Sequence, residues 1–245
     1  MTQQIKRLFI SDLHLDDPES DIFKAFVALM DTQADQVDEI YILGDLVEMW
    51  VGDDDDSACA KTLSSTLAQA ATKTRLFLLH GNRDFLFGDD FCQATGITLL
   101  PDPYLLDGHI LLSHGDQYCI DDEAYQQARA LLRSDAFQQD MLQRSLAERQ
   151  AIGQQMRAQS MAANANKSSQ IMDVNAGAIQ EAMAQHRADM LIHGHTHRPG
   201  VYPRRGASTF KRIVLGDWQD CGWLCRQEAE HWSLECFGLD HFATD

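Results

Sequence analysis

Basic residues are scarce in this chain. Only 20 Lys and Arg face 37 Asp and Glu over 245 residues, a formal net charge of −17. A surface of that sign repels polyanions, so no nucleic-acid partner is expected. No run of apolar residues approaches the roughly 18 needed to cross a bilayer as a helix. The opening stretch, MTQQIKRLFISD, lacks the long apolar core of a signal peptide, and a cytosolic protein is expected. The six cysteines (Cys59, Cys92, Cys119, Cys221, Cys225 and Cys236) contain no Cys-x-x-Cys pair. Cys221 and Cys225 have no second Cys or His pair to complete a zinc site, so reduced, mostly buried thiols are expected.

The acidity is uneven. Between Glu123 and Arg187 lie seven basic and six acidic residues, which leaves 13 basic and 31 acidic residues for the rest of the chain. The same segment stands apart in composition. It is rich in Gln, Ala, Met, Arg and Leu, has no β-branched run, and holds only Gly153 and Gly177 as breakers. It predicts several helices, with a turn over 161–170 and a last helix capped by Asn175, whose inner face carries Ala178, Ile179, Ala182, Met183 and His186.

Elsewhere strand-like and helix-like runs alternate. Strands are predicted within 6–14, 39–48, 75–82, 109–116, 189–197, 211–218 and 231–237. Ile22, Phe23, Phe26, Val27 and Met30 repeat at helical spacing, and 57–72 reads as a second helix. The pattern implies an α/β fold. The domain reading is a core made of 1–120 and 188–245, with a helical insertion over 121–187.

Five polar clusters follow these strands: Asp12-x-His14, Gly44-Asp45, Gly81-Asn82, Ser113-His114-Gly115 and Gly194-His195-Thr196-His197. Open α/β sheets place ligands at the carboxyl ends of their strands. Asp and Asn supply hard oxygen donors and His a neutral nitrogen. In extended backbone, residues two apart point to the same side, so Asp12 with His14, and His195 with His197, can each face one ion. Seven donors suit two metals roughly 3.5–4 Å apart sharing one carboxylate. Singly each motif is weak; the series in order is specific.

That series resembles the calcineurin-like metallophosphoesterase superfamily over about 5–120 and 188–240. The finer details GNRDFL, SHGDQYCIDD and NKSSQIMDVN are similar to the pyrophosphate hydrolases of lipid A biosynthesis that act on UDP-2,3-diacylglucosamine, and they extend the likeness over nearly the whole chain. The resemblance implies a sandwich of β-sheets flanked by helices, with a helical cap over the site. It implies two Mn2+ per chain, one held by Asp12, His14, Asp45 and His197, the other by Asp45, Asn82, His114 and His195, with Asp45 bridging. Catalytic roles fall to Asp45, Asn82, Arg83 and His195. Substrate contacts fall to Asn82, Arg83, Asp122, Ser160, Asn164, Lys167 and His195. His193 matches no ligand position.

Arg83 stands where phosphomonoesterases of this kind carry the His of Gly-Asn-His. A departing alkoxide needs a general acid. Arginine does not give up its proton in proteins, but its fork holds phosphate oxygens well. When an anhydride is cleaved, the leaving phosphate has a second pKa of only about 6 and can depart as an anion. GNRD therefore favours a pyrophosphate over an ester; the bland alternative is an Arg83–Asp84 surface pair.

A small anhydride needs no cap, whereas two acyl chains need apolar cover. Tyr125, Leu131, Leu132, Phe137, Leu142, Leu146, Ile152, Met156, Met161, Ile171 and Met172 can supply it. Arg129, Arg133, Arg144, Arg149 and Arg157 give the insertion a face able to approach anionic lipid. The expectation is a lipid-linked nucleotide substrate, met by a monomer held peripherally on the cytoplasmic face of the inner membrane. The acidic run GDDDD (52–56) reads as a solvated loop. Two alternatives stay open: a phosphoesterase for a soluble anhydride such as a dinucleoside polyphosphate, and an interaction module without catalysis.

Overall fold

The computed structural model describes residues 5–164, 171, 173–203 and 210–243. In chain order the elements are β1 (Lys6–Ile10), α1 (Asp21–Gln33), β2 (Glu39–Ile42), α2 (Ala58–Ala71), β3 (Arg75–Leu79), α3 (Asp89–Thr95), β4 (Thr98–Leu100), β5 (Tyr104–Leu106) and β6 (Ile110–Ser113). Next come α4 (Glu123–Leu132), α5 (Asp135–Leu142), α6 (Leu146–Asn164), α7 (Ala176–His186), β7 (Met190–His193), β8 (Gly200–Tyr202), β9 (Lys211–Val214), β10 (Gly222–Glu228) and β11 (His231–Phe237).

The strands form two sheets, ordered β11-β10-β1-β2-β3-β4 and β5-β6-β7-β9-β8. Period-2 alternation decides which way each side chain points. Phe9, Tyr41, Leu79, Ile110, Leu112 and Ile192 face inward and fill the space between the sheets. Leu8, Ile10, Ile40, Ile42 and Leu78 face outward and pack with Phe23, Phe26, Leu63 and Leu67 of α1 and α2. On the far side, Leu111 and Leu191 pack with Ile179 and Met183 of α7. The result is a sandwich with helices on both outer faces, as predicted.

α1 and α2 begin where the sequence supplies hydroxyl caps. Ser20 accepts from the Phe23 amide and Ser57 from the Ala60 amide. Asn175 caps α7 by accepting from Gly177 and Ala178, as its position predicts. Unlike the preceding helices, α7 covers the second sheet.

Four strands were not legible. β4, β5 and β8 have three residues each, too few to show a period. β10 opens on Gly222 and closes on Arg226, Gln227 and Glu228, which hides its pairing with both β1 and β11. The turn predicted over 161–170 is corrected at its start. α6 continues through Asn164, since the Ala-rich Met161–Asn164 stretch favours helix. Residues 165–170, Lys167 among them, lie outside the described residues, as does Met172.

The arginines of the insertion turn mostly toward the core rather than outward. Arg129 Nε lies 2.7 Å from Asp116 and Arg157 Nε 2.7 Å from Glu48. Arg133 donates to the His80 and Gly81 carbonyls, and Arg149 binds the Val51 carbonyl and Asp54. Arg144 instead pairs within its own segment, with Asp140. The basic residues of 123–187 are therefore largely taken up by residues earlier in the chain.

Candidate active site

All seven predicted donors meet at one edge of the sandwich. Asp12 and His14 follow β1, Asp45 follows β2, Asn82 follows β3, His114 follows β6, and His195 and His197 follow β7. Beyond the strands, the backbone keeps the sheet register. The Asp12 amide donates to the Gly44 carbonyl, His14 to Asp45 and Leu15 to Leu46, while Gly194 donates to His114.

The imidazole Nε2 atoms converge on the carboxylates. His197 Nε2 is 3.5 Å from Asp12 Oδ1 and His14 Nε2 is 3.9 Å from Asp45 Oδ2. His114 Nε2 is 3.7 Å from Asp45 Oδ1 and 3.1 Å from Asn82 Oδ1. The two oxygens of Asp45 thus address opposite sides of the site. The His195 ring lies 5.0 Å from that of His114, edge to face, and its backbone amide donates to Asp12.

Three observations test whether these donors fit a divalent cation. Donor atoms of Asp12, His14 and His197 lie within 4.8 Å of one another, as do those of Asp12, Asp45 and His114. Both ring nitrogens of His14 are buried without a hydrogen-bond partner. Asp12, His14, Asp45, His195 and His197 all adopt left-handed backbone, with φ between 51° and 65°, in place of the extended backbone expected for Asp12-x-His14 and His195-x-His197. Non-glycine residues held there cost on the order of 1–3 kcal/mol each and gather at ligand sites. The donor set fits.

The same crowding sets the protonation pulls. Burial disfavours a charged His197, but its hydrogen bonds to Asp12 and Asp217 outweigh burial and raise its pKa to about 10. Burial likewise opposes a charged His114, yet Asp45, Asp12 and Asp116 bring it to about 9. For His195, burial and the neighbouring His114 act together and lower it to about 3. Burial raises the Asp45 carboxyl above its ordinary value.

Several functional residues escaped the sequence reading. Glu48 Oε2 lies 3.4 Å from His14 Nδ1, and Asp217 Oδ2 lies 3.3 Å from His197 Nδ1. The Leu43 carbonyl accepts from His114 Nδ1 at 2.9 Å. The Leu43 carbonyl and Asp217 fix the His114 and His197 rings so that Nε2 faces inward, while Glu48 acts on His14 through charge, without a hydrogen bond. Asp84, fully buried, accepts from the Gly81 and Leu46 amides and ties two ligand loops together. This removes the surface-pair reading of Arg83: its guanidinium lies 3.7 Å from Glu48, and its Nε is buried without a partner. His193 is buried, with Nδ1 on the Gly194 carbonyl and Nε2 without a hydrogen-bond partner.

Beside the donors opens a cavity of about 610 Å³ that runs from Asn82 and Arg83 beneath α4, α5 and α6. Leu132, Phe137, Ile152 and Met156 of α4, α5 and α6 line it together with Trp50 and Phe85. Ser160 borders the cavity. Asp122 is buried, and its carboxylate caps α4 by accepting from the Tyr125 amide. Asn164 closes α6. Tyr125 links the two regions: its ring sits 5.7 Å from His195, and its hydroxyl donates to Asp116.

The fold and this seven-donor edge define a metallophosphoesterase architecture, and comparison with known proteins agrees. Residues 5–199 match the calcineurin-like phosphoesterase family, and the chain belongs to that family. It is 42% identical to a Pseudomonas paraeruginosa protein over 91% of this chain and 95% of that one. It is 43% identical to a Xanthomonas oryzae pv. oryzae protein over 95% and 99% of the two chains, and 47% identical to an Aromatoleum aromaticum protein over 87% and 89%. Each of the three is named UDP-2,3-diacylglucosamine hydrolase.

Proposed function

We propose that this protein hydrolyses the pyrophosphate bond of UDP-2,3-diacylglucosamine, releasing UMP and 2,3-diacylglucosamine 1-phosphate for lipid A biosynthesis. The observation that carries the reading is the continuity of the apolar cavity with Asn82 and Arg83: a chamber suited to acyl chains reaches one of the seven donors and the arginine beside it. The names of the relatives point to the same substrate.

Two Mn2+ ions are the proposed cofactors, one with Asp12, His14, Asp45 and His197, the other with Asp45, Asn82, His114 and His195. Bound there, such ions acidify water and draw charge from phosphoryl oxygens. Arg83 directs its guanidinium to the phosphate oxygens, and Asn82 shares that end of the cavity. A water oxygen bonds to the α-phosphorus as the bond to the bridging oxygen breaks. The lipid phosphate departs as an anion, so the site needs positive charge near it more than a proton donor. Ser160, Asn164, Lys167 and Asp122 are proposed sugar, amide and phosphate contacts.

The protein is proposed to reach its substrate as a peripheral protein on the cytoplasmic face of the inner membrane. No helix among the described residues is long and apolar enough to cross a membrane. Leu131, Leu142 and Met161, each at least half exposed, all lie on the cap. Such a surface suits a bilayer in which the substrate is anchored.

Steady-state turnover with Mn2+ tests the reading. UDP-2,3-diacylglucosamine is expected to react far faster than a dinucleoside tetraphosphate; equal or inverted preference contradicts it.

A further inference from the structure

The acidic run after Gly52 gains its meaning from the helix above it. α6 presents Arg149, Gly153 and Arg157 at four-residue spacing, one stripe of the helix. That stripe lies along the loop Glu48–Asp54. Arg157 pairs with Glu48 at one end. In the middle, a Cβ on Gly153 would fall 2.3 Å from Met49 Sδ, so the helix and loop touch through a bare backbone. At the other end Arg149 donates from Nη1 to the Val51 carbonyl at 2.6 Å and to Asp54 Oδ1 at 2.7 Å, and from Nη2 to Asp54 Oδ2. Its Nε returns to the Arg144 carbonyl at 3.1 Å.

Arg149 is only 3% exposed, although Ala147 and Glu148 beside it are exposed. Gly52 makes the seat possible: its φ is +137°, and a Cβ there would lie 2.1 Å from Arg149 Nη1. The loop is itself pinned to the core. The Trp50 amide donates to the Arg83 carbonyl, and Asp53 accepts from the Gly88 and Phe91 amides and from the Trp50 indole. Asp53 is therefore engaged in holding the loop, and Asp54, although exposed, spends both carboxylate oxygens on Arg149.

We propose that Arg149, seated on Val51 and Asp54, is a positioning residue that sets the height of α6 above the chamber and so fixes the fit of the acyl chains. α6 carries Ile152, Met156 and Ser160 along the cavity, and the seat is chained through Trp50 to the backbone of Arg83. A bidentate fork onto a carboxylate and a carbonyl fixes distance and angle together, which a single ammonium cannot. The inference rests on the proposed substrate only for what fills the chamber.

The test compares the parent with Asp54→Asn, Arg149→Ala and Arg149→Lys. Three quantities are read: KM and kcat on UDP-2,3-diacylglucosamine, Mn2+ affinity by paramagnetic resonance, and amide exchange along the chain. For Asp54→Asn and Arg149→Ala the expected result is a KM raised roughly tenfold or more, with kcat changed far less. Mn2+ affinity stays unchanged, exchange quickens in 146–164 but not in the sheets, and Arg149→Lys falls between. An unchanged KM overturns the proposal. So does parallel loss of Mn2+ affinity and of exchange protection throughout, which marks a general loss of stability. A parent that leaves this substrate intact overturns the proposed function instead. The anchor is then judged by exchange: quickening confined to α6 sustains it, and no change overturns it.

Discussion

The Arg83 amide donates to Asp45 Oδ1 at 2.8 Å. The residue that sets this chain apart from the Gly-Asn-His pattern is thus bonded through its backbone to the carboxylate at the centre of the site, while its guanidinium lies 3.7 Å from Glu48 with Nε unpartnered.

Arg83→Ala keeps that backbone bond and removes the guanidinium. Loss of one charge-stabilising donor costs on the order of 10²–10³ in rate. The expected result is a fall in kcat/KM of that size with Mn2+ binding intact. Arg83→His is expected to restore little on the anhydride, because the missing element is fixed positive charge. Steady-state kinetics on both variants checks this.

Asp217 lies 3.3 Å behind His197, and Glu48 lies 3.4 Å behind His14 as a charge contact. Removal of such partners lowers metal affinity by roughly 10–100-fold. Asp217→Asn and Glu48→Gln are each expected to weaken Mn2+ binding within that range, read by titration of the metal-free protein. Asp45→Asn, which alters the carboxylate facing both sides, is expected to weaken it more than either.

Chelation is expected to abolish hydrolysis, and added Mn2+ to restore it. Stability moves with occupancy. A ligand at one hundred times its Kd stabilises the folded state by about 2.7 kcal/mol. The melting temperature is therefore expected to rise with Mn2+, and to rise much less in Asp45→Asn. Metal binding would offset the left-handed backbone at five of the donors, so the two measurements belong together.

A different buried charge cluster stabilises the end of the molecule away from the strand-end donors. Glu39 accepts from Arg7 Nε at 2.5 Å and from the Tyr41 hydroxyl at 2.9 Å, and Arg75 lies 2.7 Å from it. Arg7 and Glu39 are almost fully buried. Removing one partner of a buried pair costs about 3–5 kcal/mol. Arg7 also holds Asp107, so Glu39→Gln is expected to lower unfolding free energy by less than that range, measured by denaturant, with kcat and KM unchanged.

The donors were legible because each sits directly after an apolar strand, and Asp12-x-His14 and His195-x-His197 declare two ligands at once. Their helpers were not. Asp217 lies 20 residues beyond His197 and Glu48 lies 34 beyond His14, so only folding pairs them. Arg149 and Asp54 are 95 apart, and each reads alone as a solvated charge. β10 was hidden for the same reason: pairing on both edges made it a strand, not its own pattern. The cap arginines read as a basic face because sequence gives charge without direction.

The most direct measurement of the central claim is hydrolysis of UDP-2,3-diacylglucosamine with Mn2+ in 18O-labelled water. The account predicts label in UMP, from water entering at the α-phosphorus. Label confined to 2,3-diacylglucosamine 1-phosphate would contradict it.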